Sequence, residues 1–209
     1  MPKLVSVNVG TPQQLSVRRG RPMMSAIVKQ PVEGRVRVEG VNVAGDAQAD
    51  LRVHGGPDKA VYAYAREDIA WWEEQLEREI PPGMFGENLT TEGLDVSGAL
   101  IGERWTIGTV ELEVCQPRQP CSKLGLRFED LRMVKRFAQA SRPGAYLRII
   151  TEGELGAGDT IEVTDLPDHA VTIAQVSDAI LLDDTLIPQV VGATALPGPL
   201  RDWMRAQAA

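Results

Sequence analysis

Little in this chain of 209 residues can cage a metal by itself: it has two cysteines, Cys115 and Cys121, and two histidines, His54 and His169. That excludes a four-cysteine zinc site and a disulfide framework. A single Cys115–Cys121 bridge is conceivable, but two prolines stiffen the intervening QPRQP. Free thiols in a reducing cytosol are the expectation. No window approaches the roughly 18 uninterrupted apolar residues of a membrane helix. The opening MPKLVSVNVG has no apolar run before a cleavage site, so no secretory leader is expected. Positive charge is in deficit: 22 Lys and Arg against 29 Asp and Glu give −7, which provides no general attraction for nucleic acid. A local basic pocket for a phosphate stays compatible with that balance. Hydrophobic residues at 43% and charged residues at 24% exclude wholesale disorder. The length suits one large domain, or one domain with a small appendage, in the cytoplasm.

What the sequence does contain is short alternating runs. KLVSVNV at Lys3 to Val9, RVRVEGVNV at Arg35 to Val43 and AVYAY at Ala60 to Tyr64 predict strands. Arg66 to Ile80 switches to helical spacing, with Ile69, Trp72, Leu76 and Ile80 on one face, until Pro81-Pro82-Gly83 stops it. Strands return over Ala99 to Val114, Ala145 to Ile150 and Thr160 to Val163. A second helix is predicted over Phe128 to Ala140, with Phe128, Leu131, Val134 and Phe137 as its stripe. Many short strands, glycine turns and two inserted helices predict a mainly β, α+β fold: a β-barrel-like core over residues 1–166 with peripheral helices. After Leu166-Pro167 the spacing becomes helical, and residues 167–209 read as a three-helix segment packed on the barrel: Val171 to Leu182, Asp184 to Val191 and Pro199 to Gln207.

Three clusters hold side chains capable of chemistry. GDAQADLRVHGGPDK places Asp50, His54, Gly55, Gly56, Asp58 and Lys59 together. Paired glycines let backbone amides approach an anion, although such a loop is more often a solvated turn. FGEN, at Phe85, Gly86, Glu87 and Asn88, offers donors and acceptors to a planar heterocycle, or is an ordinary turn. In VCQPRQPCSKL the strand ending at Val114 delivers a loop with Cys121 between Arg118 and Lys123. Those cations favour thiolate over thiol. A thiolate serves as a nucleophile, a sulfur acceptor or a soft metal ligand. Cys115, at the strand end, reads as structural.

In order, GDAQADLRVHGGPDKAVYAY, FGENLTTEGL and IGERW…LEVCQPRQPC resemble the MOSC domain family, named after the C-terminal domain of molybdenum cofactor sulfurase. The nearest look is to its stand-alone bacterial YiiM-type members, which carry a three-helix C-terminal segment. The resemblance runs from Lys3 to about Arg205. It implies a β-barrel-like fold that binds the molybdenum cofactor, molybdopterin with its metal. It also implies reduction of N-hydroxylated compounds such as N-hydroxylated purines, in a detoxifying role, with electrons from a flavoprotein or other reductase partner. Cys121 matches the family cysteine, so the resemblance makes it the molybdenum ligand. The cofactor's phosphate then has His54, Gly55, Gly56, Lys59, Arg118 and Lys123 available. The pterin has Phe85, Gly86, Glu87, Asn88 and Gln116. Protons come from water or from Asp50, Asp58 or His54, and Cys121, His54 and Asp50 stand as the catalytic set. A homodimer is compatible with this reading. The alternative is a non-redox sulfur or cofactor carrier using a Cys121 persulfide. A Cys121–His54 hydrolase lacks an orienting third group, and a plain binding module leaves the thiolate and glycine loop without a use.

Overall fold

A computed structural model describes residues 1–15, 23–48 and 55–208. Along the chain run β1 (Lys3–Val9), β2 (Gln13–Leu15), β3 (Met23–Ser25), β4 (Gln30–Val32), β5 (Arg35–Glu39), β6 (Asn42–Val43) and β7 (Val61–Ala65). Helix α1 (Arg66–Leu76) follows, then β8 (Leu89–Glu92), β9 (Arg104–Ile107) and β10 (Val110–Pro117). Two short helices, α2 (Ser122–Phe128) and α3 (Met133–Gln139), precede β11 (Ala145–Thr151), β12 (Gly153–Gly156) and β13 (Ile161–Asp165). Helices α4 (Ile173–Leu181), α5 (Ile187–Val190) and α6 (Gly198–Gln207) end the described chain.

The fold is α+β around an eight-stranded sheet, in the order β13-β9-β10-β11-β7-β8-β1-β4. It curls without closing as a continuous ladder. An isolated bridge between Lys3 and Thr160 brings the start of β1 to the start of β13. The chain crosses from β7 through α1 to β8, and those two strands pair in parallel, as a helical crossover requires. In the smaller sheet β12-β5-β6, the alternating Val36 and Val38 of β5 are buried.

Bulges change the expected alternation. In β1 the register shifts between Leu4 and Ser6, so Leu4 and Val7 are the buried apolar residues, while Val5 and Val9 are half-buried. One extra residue moves everything after it to the other face. In β10, Val110, Leu112 and Val114 are buried as the pattern predicts, but the strand does not stop at Val114. A shift between Val114 and Gln116 carries it to Pro117, paired with Ala145. Pro117 is tolerated because it is the last residue of its strand.

The helices differ from expectation at their ends. Helix α1 stops at Leu76 rather than Ile80, because Glu77 turns left-handed (φ 52°). The Glu73 carboxylate then accepts the Ile80 amide at 2.9 Å, and Ile80 is buried from outside the helix. The helix predicted over Phe128 to Ala140 begins only at Met133, because α2 ends at Phe128, where Glu129 turns left-handed (φ 56°). Met133 is buried while Leu131 points into solvent.

Two apolar clusters hold the fold together. One joins sheet residues such as Trp105, Leu112 and Val114 to Ile173, Val176, Ile187 and Met204 of the C-terminal helices, so those helices share the sheet's core. Helix α4 begins with a reciprocal capping box between Thr172 and Gln175. The second cluster is aromatic, built from Tyr62, Tyr64, Trp72, Phe85, Phe128 and Phe137. Among the described residues no helix is long and apolar enough to cross a membrane.

Candidate functional site

The aromatic cluster forms one side of a cleft that opens to solvent. Strand β7 supplies Tyr62, β11 supplies Tyr146, and the turn before β8 supplies Phe85 and Gly86. The segment from β10 into α2 supplies Arg118, Cys121 and Lys123. Lys59, at the end of the turn after the paired glycines, also lines it.

Cys121 is a half-buried free thiol at the entry to α2, and its side chain caps nothing there. Cys115 differs in every respect: it is fully buried and donates to the carbonyls of Asp58 (3.0 Å) and Tyr146 (3.3 Å). Burial holds its thiol far above the usual range. Its place is inside β10, not at the strand's end, and both assignments of the two thiols rest on that contrast.

Arg118 is 5% exposed. Its guanidinium lies over the rings of Tyr62 (5.4 Å) and Phe137 (5.1 Å). Its Nη1 is buried with no partner among the described residues. A buried charged donor without an acceptor is costly. The cleft therefore presents a desolvated cation ready for an anion, a few residues from the accessible thiol.

A buried polar network forms the opposite wall. Lys29 is 6% exposed and pairs with Asp46. Burial pulls the Lys29 ammonium below its ordinary range, against the opposing pull of Asp46. The Asp46 carboxylate also accepts the Gly10 amide (2.8 Å) and the Asn88 side-chain amide (3.0 Å). Asn88 is held in turn, because its oxygen accepts the Tyr62 amide at 3.1 Å.

Cys121, Arg118, Lys123, Lys59, Phe85 and Gly86 thus meet at one cleft, and Asn88 lines it too. Other expected contacts are not made. Glu87 is fully buried behind the wall, where it accepts from Gly83 N (2.6 Å), Phe85 N (3.0 Å) and the Thr90 hydroxyl (3.1 Å). It organises the turn instead of facing a pterin. Gln116 is spent on the Asp58 carbonyl at 2.9 Å. Asn88's amide is committed to holding Asp46. Asp58 is engaged by Arg148 at 2.7 Å rather than aimed at the cleft. Gly55 and Gly56 stand beside the cleft, not on its wall, and the Gly56 amide donates to Gln48 at 3.2 Å. His54 and Asp50 lie outside the described residues. Lys29, Asp46, Tyr62 and Tyr146 were not predicted. Lys29 sits in the apolar run AIVKQP, where nothing periodic marks it, and Asp46 becomes conspicuous only once Lys29 is beside it. Among the described residues no three His, Cys, Asp or Glu side chains group to hold a metal.

Residues 50–162 match the MOSC domain family. The chain is 37% identical over 170 residues to the uncharacterized protein YflK of Bacillus subtilis (strain 168), covering 81% of this chain and 76% of that one. It is 32% identical over 205 residues to protein YiiM of Escherichia coli (strain K12), covering 95% and 89%. A Gibberella moniliformis protein named as a reductase is 32% identical over 199 residues, which span 88% of this chain but 35% of that protein. The crystal structure of YiiM from Geobacillus stearothermophilus superposes with a TM-score of 0.81 at 29% identity over the whole of both chains. The chain belongs to the MOSC domain family, which is associated with molybdenum-cofactor binding. Within that family it is of the YiiM type.

Proposed function

We propose that this protein is a molybdenum-cofactor-dependent reductase of N-hydroxylated compounds, N-hydroxylated purines among them, with Cys121 as thiolate ligand to the metal. The observation that carries the reading is the pairing, at one cleft, of an accessible thiol with a buried guanidinium whose Nη1 has no partner among the described residues. The residues present suit the cofactor. A metal that arrives in its own dithiolene chelate needs few protein ligands, and one soft thiolate is enough. A phosphate would complete the bonding of Arg118 through charge-assisted hydrogen bonds in a desolvated setting. Lys59 and Lys123 add positive charge at the same cleft.

When bound, the cofactor supplies two-electron chemistry that takes the oxygen of an N–O bond and leaves an amine, while the protein binds, orients and excludes water. A flavoprotein or other reductase delivers the electrons. Tyr62, Tyr146 and Phe85 offer planar apolar walls to a heteroaromatic substrate or to the pterin.

The test is molybdenum and pterin content per chain, with reductase turnover, after expression in a host competent for the cofactor. Wild type and Cys115→Ser should hold stoichiometric metal. Arg118→Met should stay folded and hold little, and Cys121→Ser should lose turnover. Wild-type protein with sulfane sulfur on Cys121 and no metal would instead make it a sulfur carrier.

A further inference from the structure

Reduction of an N-hydroxylated substrate breaks one N–O bond. With two electrons from the reductase partner and two protons, it yields the amine and one water. The protons need a source at the cleft. We propose that Lys29, held by Asp46, is the residue that donates a proton to the departing oxygen. The proposal rests on the reductase reading above.

The geometry places the proton. Asp46 accepts from three donors: Gly10 N, Asn88 Nδ2 and Lys29 Nζ. An Asn side chain could in principle be turned over, but Tyr62 N donates to the Asn88 oxygen, which fixes Nδ2 toward Asp46. Three donors engage the carboxylate as an acceptor, and the proton in the Lys29–Asp46 hydrogen bond is one that Lys29 donates. Both side chains are nearly inaccessible, 8% for Lys29 and 4% for Asp46, yet both line the cleft. Asp46 already compensates the Lys29 charge, so Lys29 contributes little as an anchor for an anion.

The other cleft groups serve less well. The Tyr62 hydroxyl donates away from the cleft to the Pro143 carbonyl at 2.8 Å. Burial holds the Tyr146 hydroxyl above its ordinary range, and a guanidinium does not give up its proton. Cys121 is the metal ligand in this reading. Among the described residues Lys123 has no buried carboxylate beside it of the kind that fixes Lys29. Glu87, which also faces Lys29 electrostatically, lies behind the wall. Burial favours the neutral amine of Lys29, which eases proton release and moves its titration toward the working range of an acid catalyst. After donation, the amine is reprotonated by water in the open cleft.

Two substitutions test the role. Lys29→Arg keeps the ion pair with Asp46 but has no transferable proton. Lys29→Met removes the charge and, if it folds, checks the result. Cofactor-loaded Lys29→Arg should keep molybdenum content within about twofold of wild type. Its kcat should fall by about 10²–10⁴, the span of acid–base contributions. The wild-type kcat should decline at high pH as Lys29 deprotonates, and the variant should lack that limb. Separately, ¹³Cε-lysine NMR of the cofactor-free chain should show a resonance, absent from Lys29→Arg, that titrates below those of the surface lysines. Wild-type turnover in Lys29→Arg, or a Lys29 resonance that titrates with the surface lysines, overturns the proposal. Loss of molybdenum in Lys29→Arg would make Lys29 a cofactor anchor instead. Loaded wild type that reduces no N-hydroxylated compound overturns the reductase reading itself, which the variant ratios do not address.

Discussion

Replacing Glu87 by Gln should make the protein more stable at neutral pH, and by an amount that depends on pH. Glu87 is fully buried. Burial raises its carboxyl from an ordinary 4.5 to about 7, against the donors Gly83, Thr90 and Phe85, which pull it down. The unfolded chain gives up the Glu87 proton near pH 4.5, and the folded chain keeps it to about pH 7. Between those values the folded state binds more protons, so stability falls as pH rises. At about 1.36 kcal/mol per unit, the gap amounts to about 3 kcal/mol. Below the window both states are protonated and nothing is lost; above it the full cost stands. Glutamine is neutral throughout and close in shape. It sacrifices acceptor capacity toward Gly83 or Phe85, a roughly constant penalty of about 1 kcal/mol. Urea unfolding, followed by fluorescence of the buried Trp72 and Trp105, should therefore place Glu87→Gln within about 1 kcal/mol of wild type at the acid end. By pH 8 the variant should have gained about 3 kcal/mol on wild type. Stability curves that stay parallel from pH 4.5 to pH 8 would refute the argument: Glu87 would then be ionised in the fold, and its three donors would outweigh burial.

Three further outcomes are expected. A thiol reagent should label Cys121 in the native protein and reach Cys115 only on unfolding, read by mass spectrometry of timed digests, because only Cys121 is accessible. Gly83→Ala should cost about 1–3 kcal/mol and disturb Lys29: the glycine has φ +82°, and a Cβ there would lie 2.7 Å from the Lys29 carbonyl oxygen. Thermal unfolding checks the cost, and the Lys29 resonance reports the disturbance. Gly56→Val meets no steric obstacle among the described residues, none of which lies within 4 Å of a Cβ at Gly56. Its φ of 93° and ψ of 176° are nonetheless a glycine conformation, so strain of about 1–3 kcal/mol should loosen the loop while the fold persists. Molybdenum per chain should drop at matched circular dichroism, and full occupancy would make this loop a turn and nothing more.

The sequence by itself determined the local patterns and the family. The alternation in RVRVE and VELEV became strands with the expected faces buried, because a period of two is a property of consecutive residues. The Thr172-to-Gln175 spacing carries its own capping box, and α4 starts there. The three motifs in order identified the family, and Cys121, Arg118 and Lys123 reach the cleft because a single short stretch delivers them together. Tertiary structure decided what depends on residues far apart. Bulges in β1 and β10 shifted the phase of the side chains, and bulges answer to pairing register rather than to local sequence. Glu87 looked like a ligand beside Asn88, yet its position placed it behind the wall with its oxygens consumed by backbone amides. Lys29 and Asp46 are 17 residues apart and belong to no common motif. They meet only because the end of β1 and the turn before β8 bring Gly10 and Asn88 to the same carboxylate. The unpartnered Nη1 of Arg118 is a fact about its surroundings: a sequence names the donor, but only the packed fold shows that none of the described residues accepts from it.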